Sequence, residues 1–260
     1  MYCWRLNMTR QELEQFFDDL LSPGGFQDYG PNGLQVEGAA QISKVAFAVS
    51  ATADSIAAAS AVKADALVVH HGLFWNFHGP KTITGSFKRR IFPLIQNNIN
   101  LFGYHLPLDA HLEVGNAANL AKLIGISEFY PFGDYKGSPT GVKGNFETPI
   151  SALDLQEKLC SILNHSVMLA SSDADQVIRS VGIITGGANN EWVLARQEEL
   201  DAYITGEMSE HDWHESREAG IHMFAGGHHA TERFGIQALM ERVHSKFDLE
   251  VLFLDSDNPA

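Results

Sequence analysis

A chain of 260 residues is long enough for one large domain or two small ones, with a core that needs no disulfide. With 32 acidic against 18 basic residues the formal net charge is -14, so the surface repels phosphate backbones, and the short run Lys88-Arg89-Arg90 is too small to reverse that. This argues against nucleic-acid binding, and with no apolar run of signal-peptide type or membrane-span length the expectation is a soluble, cytoplasmic protein.

Thr9 and Glu12 have capping-box spacing and open a helix predicted over 10–21, which makes Met8 a natural start and residues 1–7 an upstream extension. The Gly24 to Gly38 stretch, with Pro31-Asn32-Gly33 inside it, reads as a loop. Strand 45–50, an Ala-rich helix 52–62 capped by Thr52, and strand 66–69 ending on His70-His71 follow. A helix over 87–97, interrupted near Pro93, leads to strand 100–104 ending on His105, then to helix 116–124 closed by Gly125. Alternating strands and helices predict a parallel sheet with right-handed crossovers.

Between Tyr130 and Thr148 the composition turns to Gly, Pro, Lys and aromatics without helical period, which predicts a junction between domains 1–132 and 133–260. Beyond it come helix 149–163, strand 181–185 ending on Gly186-Gly187, helix 190–200 and strand 202–205 ending on Gly206-Glu207. Helix 211–219, strand 221–225 ending on Gly226-Gly227-His228, helix 231–243 and strand 250–254 complete the chain. Each half has a third strand ending in a histidine with a carboxylate four residues later, His105 to Asp109 and His228 to Glu232, as if one unit were used twice. The two cysteines, Cys3 and Cys160, give no disulfide framework and read as free thiols of a reducing compartment.

The 12 histidines are a heavy load, and several fall at predicted strand ends, where ligands gather in open α/β sheets. His228 and Glu232 share one face if a helix starts there, and the preceding glycines let backbone approach a bound group. Adjacent His70 and His71 can both serve one site only where their strand has just ended, which Gly72 permits. Together with Asp109 they make three imidazoles and two carboxylates besides His105, a set for divalent Zn, Mn, Fe, Co or Ni. Five ligands exceed one tetrahedral site, so two divalent metal ions roughly 3.5 Å apart are expected, with hydrolytic chemistry. His105 and Glu207 are candidates to orient a ligand or move a proton, as is His211; His78, His111, His165, His214, His222, His229 and His244 are read as structural or solvated.

The segments Asn32-Gly33-Leu34-Gln35-Val36, His70-His71, His105-Leu106-Pro107-Leu108-Asp109, Ile204-Thr205-Gly206-Glu207 and Gly227-His228-His229-Ala230-Thr231-Glu232-Arg233 resemble the NIF3-like family, labelled GTP cyclohydrolase 1 type 2 homologues, in its short bacterial form. The resemblance implies two similar, intertwined α/β domains, a dinuclear metal site in the cleft between them and a toroidal homohexamer. It places the metal ligands on His70, His71, Asp109, His228 and Glu232. The family often has proline after the paired histidines, where this chain has Gly72. The expected activity is that of a metal-dependent hydrolase on a small nucleotide-like or phosphorylated substrate; the alternative is a ring-forming scaffold or metal-binding regulator.

Overall fold

The computed structural model describes residues 8–260, so the expectations for residues 1–7 and for Cys3 lie outside it. Two compact units emerge: the described residues up to Leu108 with Ile236–Ser256, and Asp109–Gly235 with Asp257–Ala260. By contacts the chain passes from the first unit to the second at 108/109 and re-enters the first at Ile236.

The first unit begins with helix Arg10–Leu21, whose Leu13, Phe17 and Leu21 repeat at i, i+4 and i+8 and are buried. The Glu12 amide donates to Thr9 Oγ1 at 3.1 Å and the Thr9 amide to Glu12 Oε2 at 2.8 Å, which satisfies two amides that the first turn leaves without partners. Thr9→Ala is expected to cost about 1 kcal/mol in urea unfolding; no measurable change would show that the cap carries no weight.

Five strands form the first unit's sheet in the order Glu250–Phe253, Lys44–Ser50, Ala66–His71, Asn100–Gly103, Gly33–Val36; the first four run parallel and the last antiparallel. Because helices or loops cover both faces, Val45 to Val49 are all buried, which is why these strands read as unbroken apolar runs. One face packs Ala46, Leu67, Val69 and Leu101 on Ile56 of helix Ala53–Ala61 and Ile91 and Leu94 of helix Gly85–Gln96. On the other, Phe17 meets Phe102 and Tyr104 at ring distances of 6.2 and 5.2 Å. Pro93 lies inside helix Gly85–Gln96 without ending it, contrary to the expected interruption.

Gly33–Val36, expected as loop, is a strand that carries Gln35 across the sheet end. Gln35 Oε1 accepts from the Leu73 amide at 2.9 Å and Nε2 donates to Pro31 O at 2.8 Å. A Cβ on residue 72 would collide with that amide, so the space where the family often places proline is taken here by Gln35.

The second unit holds a six-stranded sheet in the order Phe129–Phe132, Gly141–Ser151, Val177–Ile183, Ala202–Thr205, His222–Ala225, Met168–Ala170. Its three central strands are parallel and the flanking ones antiparallel. The stretch 130–148, read from the sequence as lacking helical period, is mostly strand. Phe146 and Val142 point to the core while the residues between them are half-buried or exposed, too sparse an apolar signal to read locally, and pairing with Val177–Ile183 supplies the stabilisation. Helix Ala152–Leu163 starts later than expected, at Ser151, whose side chain accepts from the Asp154 amide at 3.1 Å. Its Leu155, Leu159 and Leu163 pack with Ile183, Ile204 and Phe224 of the sheet.

Candidate metal centre

In the first unit the parallel strands deliver three imidazoles to one place. Strand Ala66–His71 ends on fully buried His70 and half-buried His71, and strand Asn100–Gly103 beside it leads into His105. Although the strand runs through His71, the rings of His70 and His71 lie 4.6 Å apart, and the His105 ring is 4.9 Å from the first and 5.6 Å from the second. One ligand atom of each ring lies within 4.8 Å of the others. Each Nδ1 has a backing partner: Tyr104 O for His70 at 3.0 Å, Ser50 Oγ for His71 at 3.0 Å, and Asp28 Oδ1 for His105 at 2.7 Å.

Asp28 was not singled out in the sequence. Its carboxylate accepts from the Tyr29 amide at 2.6 Å, the Asn32 amide group at 2.9 Å and the Leu106 amide at 2.9 Å, besides His105. Burial alone would push its pKa up, but the hydrogen bond and charge of His105, with the Asn32 and Leu106 donors, bring it below the ordinary carboxylate value. Asn32 adds a second tie, accepting the His105 amide at 2.8 Å on its Oδ1. The only hint in the sequence was the turn-forming run Asp28-Tyr29-Gly30-Pro31-Asn32-Gly33, which says "turn" whether or not a site depends on it. Edge-on rings of Trp75 at 5.1 Å and Tyr29 at 5.7 Å flank His105, and a cavity lined by Gly30, Gln35, His70, Gly72, Trp75 and His105 opens beside it.

In the second unit Gly227, at φ +91, ends the approach from strand His222–Ala225 and a short helix His228–Thr231 follows. Glu232 stops that helix rather than continuing it, yet the i, i+4 relation survives: His228 Nε2 is 3.2 Å from Glu232 Oε2. Glu207 Oε1 takes the other ring nitrogen, Nδ1, at 2.6 Å, the carboxylate support that fixes an imidazole's tautomer and direction. Thr231 Oγ1 ties the turn by donating to Gly227 O at 2.9 Å and accepting from the Gly186 amide at 3.1 Å. Asp109 is buried, with Oδ1 accepting from Asn116 Nδ2 at 2.9 Å, and Asn116 Oδ1 accepts the Gly235 amide at 2.7 Å. Asn116 thus connects Asp109 to the residues just after Glu232. No spacing rule marks a pair 119 residues apart.

Burial disfavours the imidazolium of His228, but the hydrogen bonds and charges of Glu232 and then Glu207 outweigh it, and the pKa rises to about 9 from 6.5. A raised pKa stabilises the fold fully below 6.5, and that contribution is lost as pH climbs through about 9. Metal-free protein is therefore expected to lose stability between those values in chemical denaturation, and a flat or rising profile there would contradict this pairing. Metal loading below about pH 9 should release a proton from His228.

Other histidines have their own settings. His211 Nε2 lies 3.5 Å from Asp212 Oδ1, on helix Glu210–Glu218, His222 Nδ1 2.8 Å from Ser171 Oγ, and His165 bridges Ser166 O at 2.7 Å and Pro259 O at 3.0 Å. No helix among the described residues is long and apolar enough to cross a membrane.

The structure is thus a mixed α/β protein with several sheets, holding groups of His, Asp and Glu side chains that could bind a metal ion. It matches the Duf34/NIF3 (NGG1p interacting factor 3) family over residues 8–259. A protein of Pasteurella multocida named GTP cyclohydrolase 1 type 2 homolog is 45% identical over 253 residues, covering 97% of this chain and 100% of that protein. Among solved structures, protein ybgI, described as of unknown function, is similar with a TM-score of 0.89 at 40% identity, covering 97% of this chain and 100% of that one. TTHA1606 from Thermus thermophilus has a TM-score of 0.88 at 33% identity, with 97% and 100% covered. The chain belongs to the Duf34/NIF3 family.

Proposed function

We propose that the protein is a dinuclear metal-dependent hydrolase acting on a small nucleotide-like or phosphorylated substrate, with His70, His71, Asp109, His228 and Glu232 holding two divalent ions. The observation that carries this reading is Glu232, a carboxylate only 3% exposed and set against the imidazole of His228. Burying a carboxylate costs several kcal/mol unless a cation or a full set of donors compensates, and imidazole beside carboxylate is the donor chemistry of Zn, Mn, Fe, Co and Ni sites. The supported rings point the same way, since metal-binding histidines characteristically have their second nitrogen held by a carboxylate, carbonyl or hydroxyl.

Bound ions of this kind acidify water and neutralise charge on the oxygens of a displacement. The chain's own groups do the positioning: Glu207 holds the His228 ring, and Asn116 holds Asp109 in place. The name carried by the Pasteurella protein supports a nucleotide-like substrate. The same reading includes a cytoplasmic, ring-shaped homohexamer built around the metal sites.

Metal analysis of protein purified without added ions, followed by a panel of nucleotides and phosphoesters assayed with and without chelator, tests it. The expected result is bound transition metal and turnover that chelation abolishes and metal restores. Turnover indifferent to chelation would refute the assignment. Metal that only holds the ring together, with no substrate consumed and chelation dissociating the assembly, would establish a scaffold instead.

A further inference from the structure

The segment that follows strand Ala66–His71 carries chemistry that the metal ligands do not use. From Ala66 to Leu108 the sequence has no acidic residue, in a chain with 32 of them, while Lys81, Lys88, Arg89 and Arg90 fall inside that stretch. The same stretch holds Trp75 and Phe77, whose rings stack at 5.7 Å and 20°. We infer that this segment of the first unit is a nucleotide-recognition subsite, in which Trp75 and Phe77 receive a planar heteroaromatic ring and Lys81 with Arg90 receives the phosphate attached to it. This rests on the nucleotide-like part of the reading above and deepens it by assigning the residues that recognise the ring and the charge.

A single exposed apolar side chain is ordinary, but Phe77, 67% exposed, is half of a stacked pair. Its other half, Trp75, stands 5.1 Å from the His105 ring and 5.9 Å from the His71 ring, and lines the cavity beside His105. A ring laid on this pair would therefore lie next to the proposed metal ligands of the same unit. The pair is anchored: between its members the Asn76 amide donates to Tyr29 O at 2.7 Å, in the turn whose Asp28 holds His105. The His78 ring, edge-on to Phe77 at 4.5 Å, extends the aromatic surface. Every nucleobase has a π-face, so such a surface holds a base without selecting among them.

The cations sit at the foot of this segment. Lys81 Nζ donates to Leu73 O at 3.3 Å and lies 4.9 Å over the Phe87 ring. Leu73 is two residues before Trp75, so their backbones are within about 7 Å, a separation that one nucleotide spans. Burial, and then the charge of Arg90, push the Lys81 amine below its ordinary pKa, and a bound phosphate would relieve that repulsion. In a chain of net charge -14 an acid-free stretch is where an anionic ligand meets the least repulsion.

The test is calorimetric titration of full-length, Zn2+-loaded protein with GMP, AMP and ribose 5-phosphate, the last having the phosphate but no aromatic ring. Trp75→Ala and Phe77→Ala should each weaken GMP and AMP about 5- to 150-fold, the range for losing one base-stacking side chain, with ribose 5-phosphate affinity and metal content unchanged. Lys81→Met/Arg90→Met should weaken all three ligands at least about tenfold, because charge-assisted contacts to phosphate are lost. Tyr130→Ala removes a ring that is 61% exposed in the second unit and should change nothing. Circular dichroism melts report folding, and Trp75→Leu replaces Trp75→Ala if the latter does not fold. GMP and AMP affinities unchanged in Trp75→Ala/Phe77→Ala would overturn this inference and leave the hydrolase reading standing. Phe77→Ala that dissociates an assembly in sedimentation without altering nucleotide affinity would overturn it too, by showing that a second copy covers the rings. Native protein that binds neither nucleotide would also overturn it, and the hydrolase reading falls as well only if the phosphoester panel shows no chelator-sensitive turnover.

Discussion

Glu232→Ala is expected to lower metal affinity at least about a hundredfold, more than the 10- to 100-fold that loss of a merely supporting partner costs. Glu232 is 3% exposed and faces His228 Nε2, the nitrogen that Glu207 leaves available. Without it the site loses an anionic donor, and the imidazolium loses the carboxylate that contributes most to raising its pKa to about 9. The His228 pKa should therefore fall, visible in an NMR titration of the ring protons. Glu207→Gln is the comparison. It keeps a hydrogen-bonding group beside Nδ1, so its effect on affinity should stay within the outer-partner range, and an effect larger than that of Glu232→Ala would reverse the two roles.

Gly186→Ala should cost about 1–3 kcal/mol of stability and at least about tenfold in metal affinity, for two separable reasons. Residue 186 has φ +71, where a Cβ is strained whatever the surrounding space. The added methyl would also collide with Glu232 Oε1 and stand 3.1 Å from His228 Nε2. The carboxylate is the end of a side chain and can swing aside, so the protein is expected to fold with its metal donors displaced. Gly137→Ala is the control: its φ is +87 but nothing lies within 4 Å of the added Cβ, so it should show the backbone cost alone and leave metal binding intact. Equal metal affinity in both variants would show that Gly186 does not shape the site.

The candidate residues were legible wherever chemistry and spacing coincide locally. Adjacent His70 and His71 at the end of an apolar run, and His228 four residues before Glu232, stand out because strand period and helix period put them at recognisable places. Of their supports only Glu207, at a predicted strand end, was singled out, and its pairing with His228 was not. Asp28 sits 77 residues from His105, Glu207 21 from His228, and Asn116 119 from Gly235, and each partner is an ordinary turn or helix residue until the fold brings it there. Strands were read correctly where both faces are buried, as at Val45 to Val49, and missed at Gly33–Val36 and Gly141–Ser151, whose apolar residues are few and whose pairing is antiparallel at or near a sheet edge.

By itself the amino-acid order determined the α/β class, the capped helix Arg10–Leu21, the parallel runs ending on histidines and the type of donor available, because capping, periodicity and ligand chemistry act within a few residues. Only the tertiary structure decided that Glu250–Phe253 pairs with Lys44–Ser50 in the first unit, that Gln35 fills the space above Gly72, and that Asp28 holds His105. Those choices depend on contacts between segments tens to hundreds of residues apart. Each contributes little alone, and they are selected together by the packing and hydrogen bonding of whole sheets.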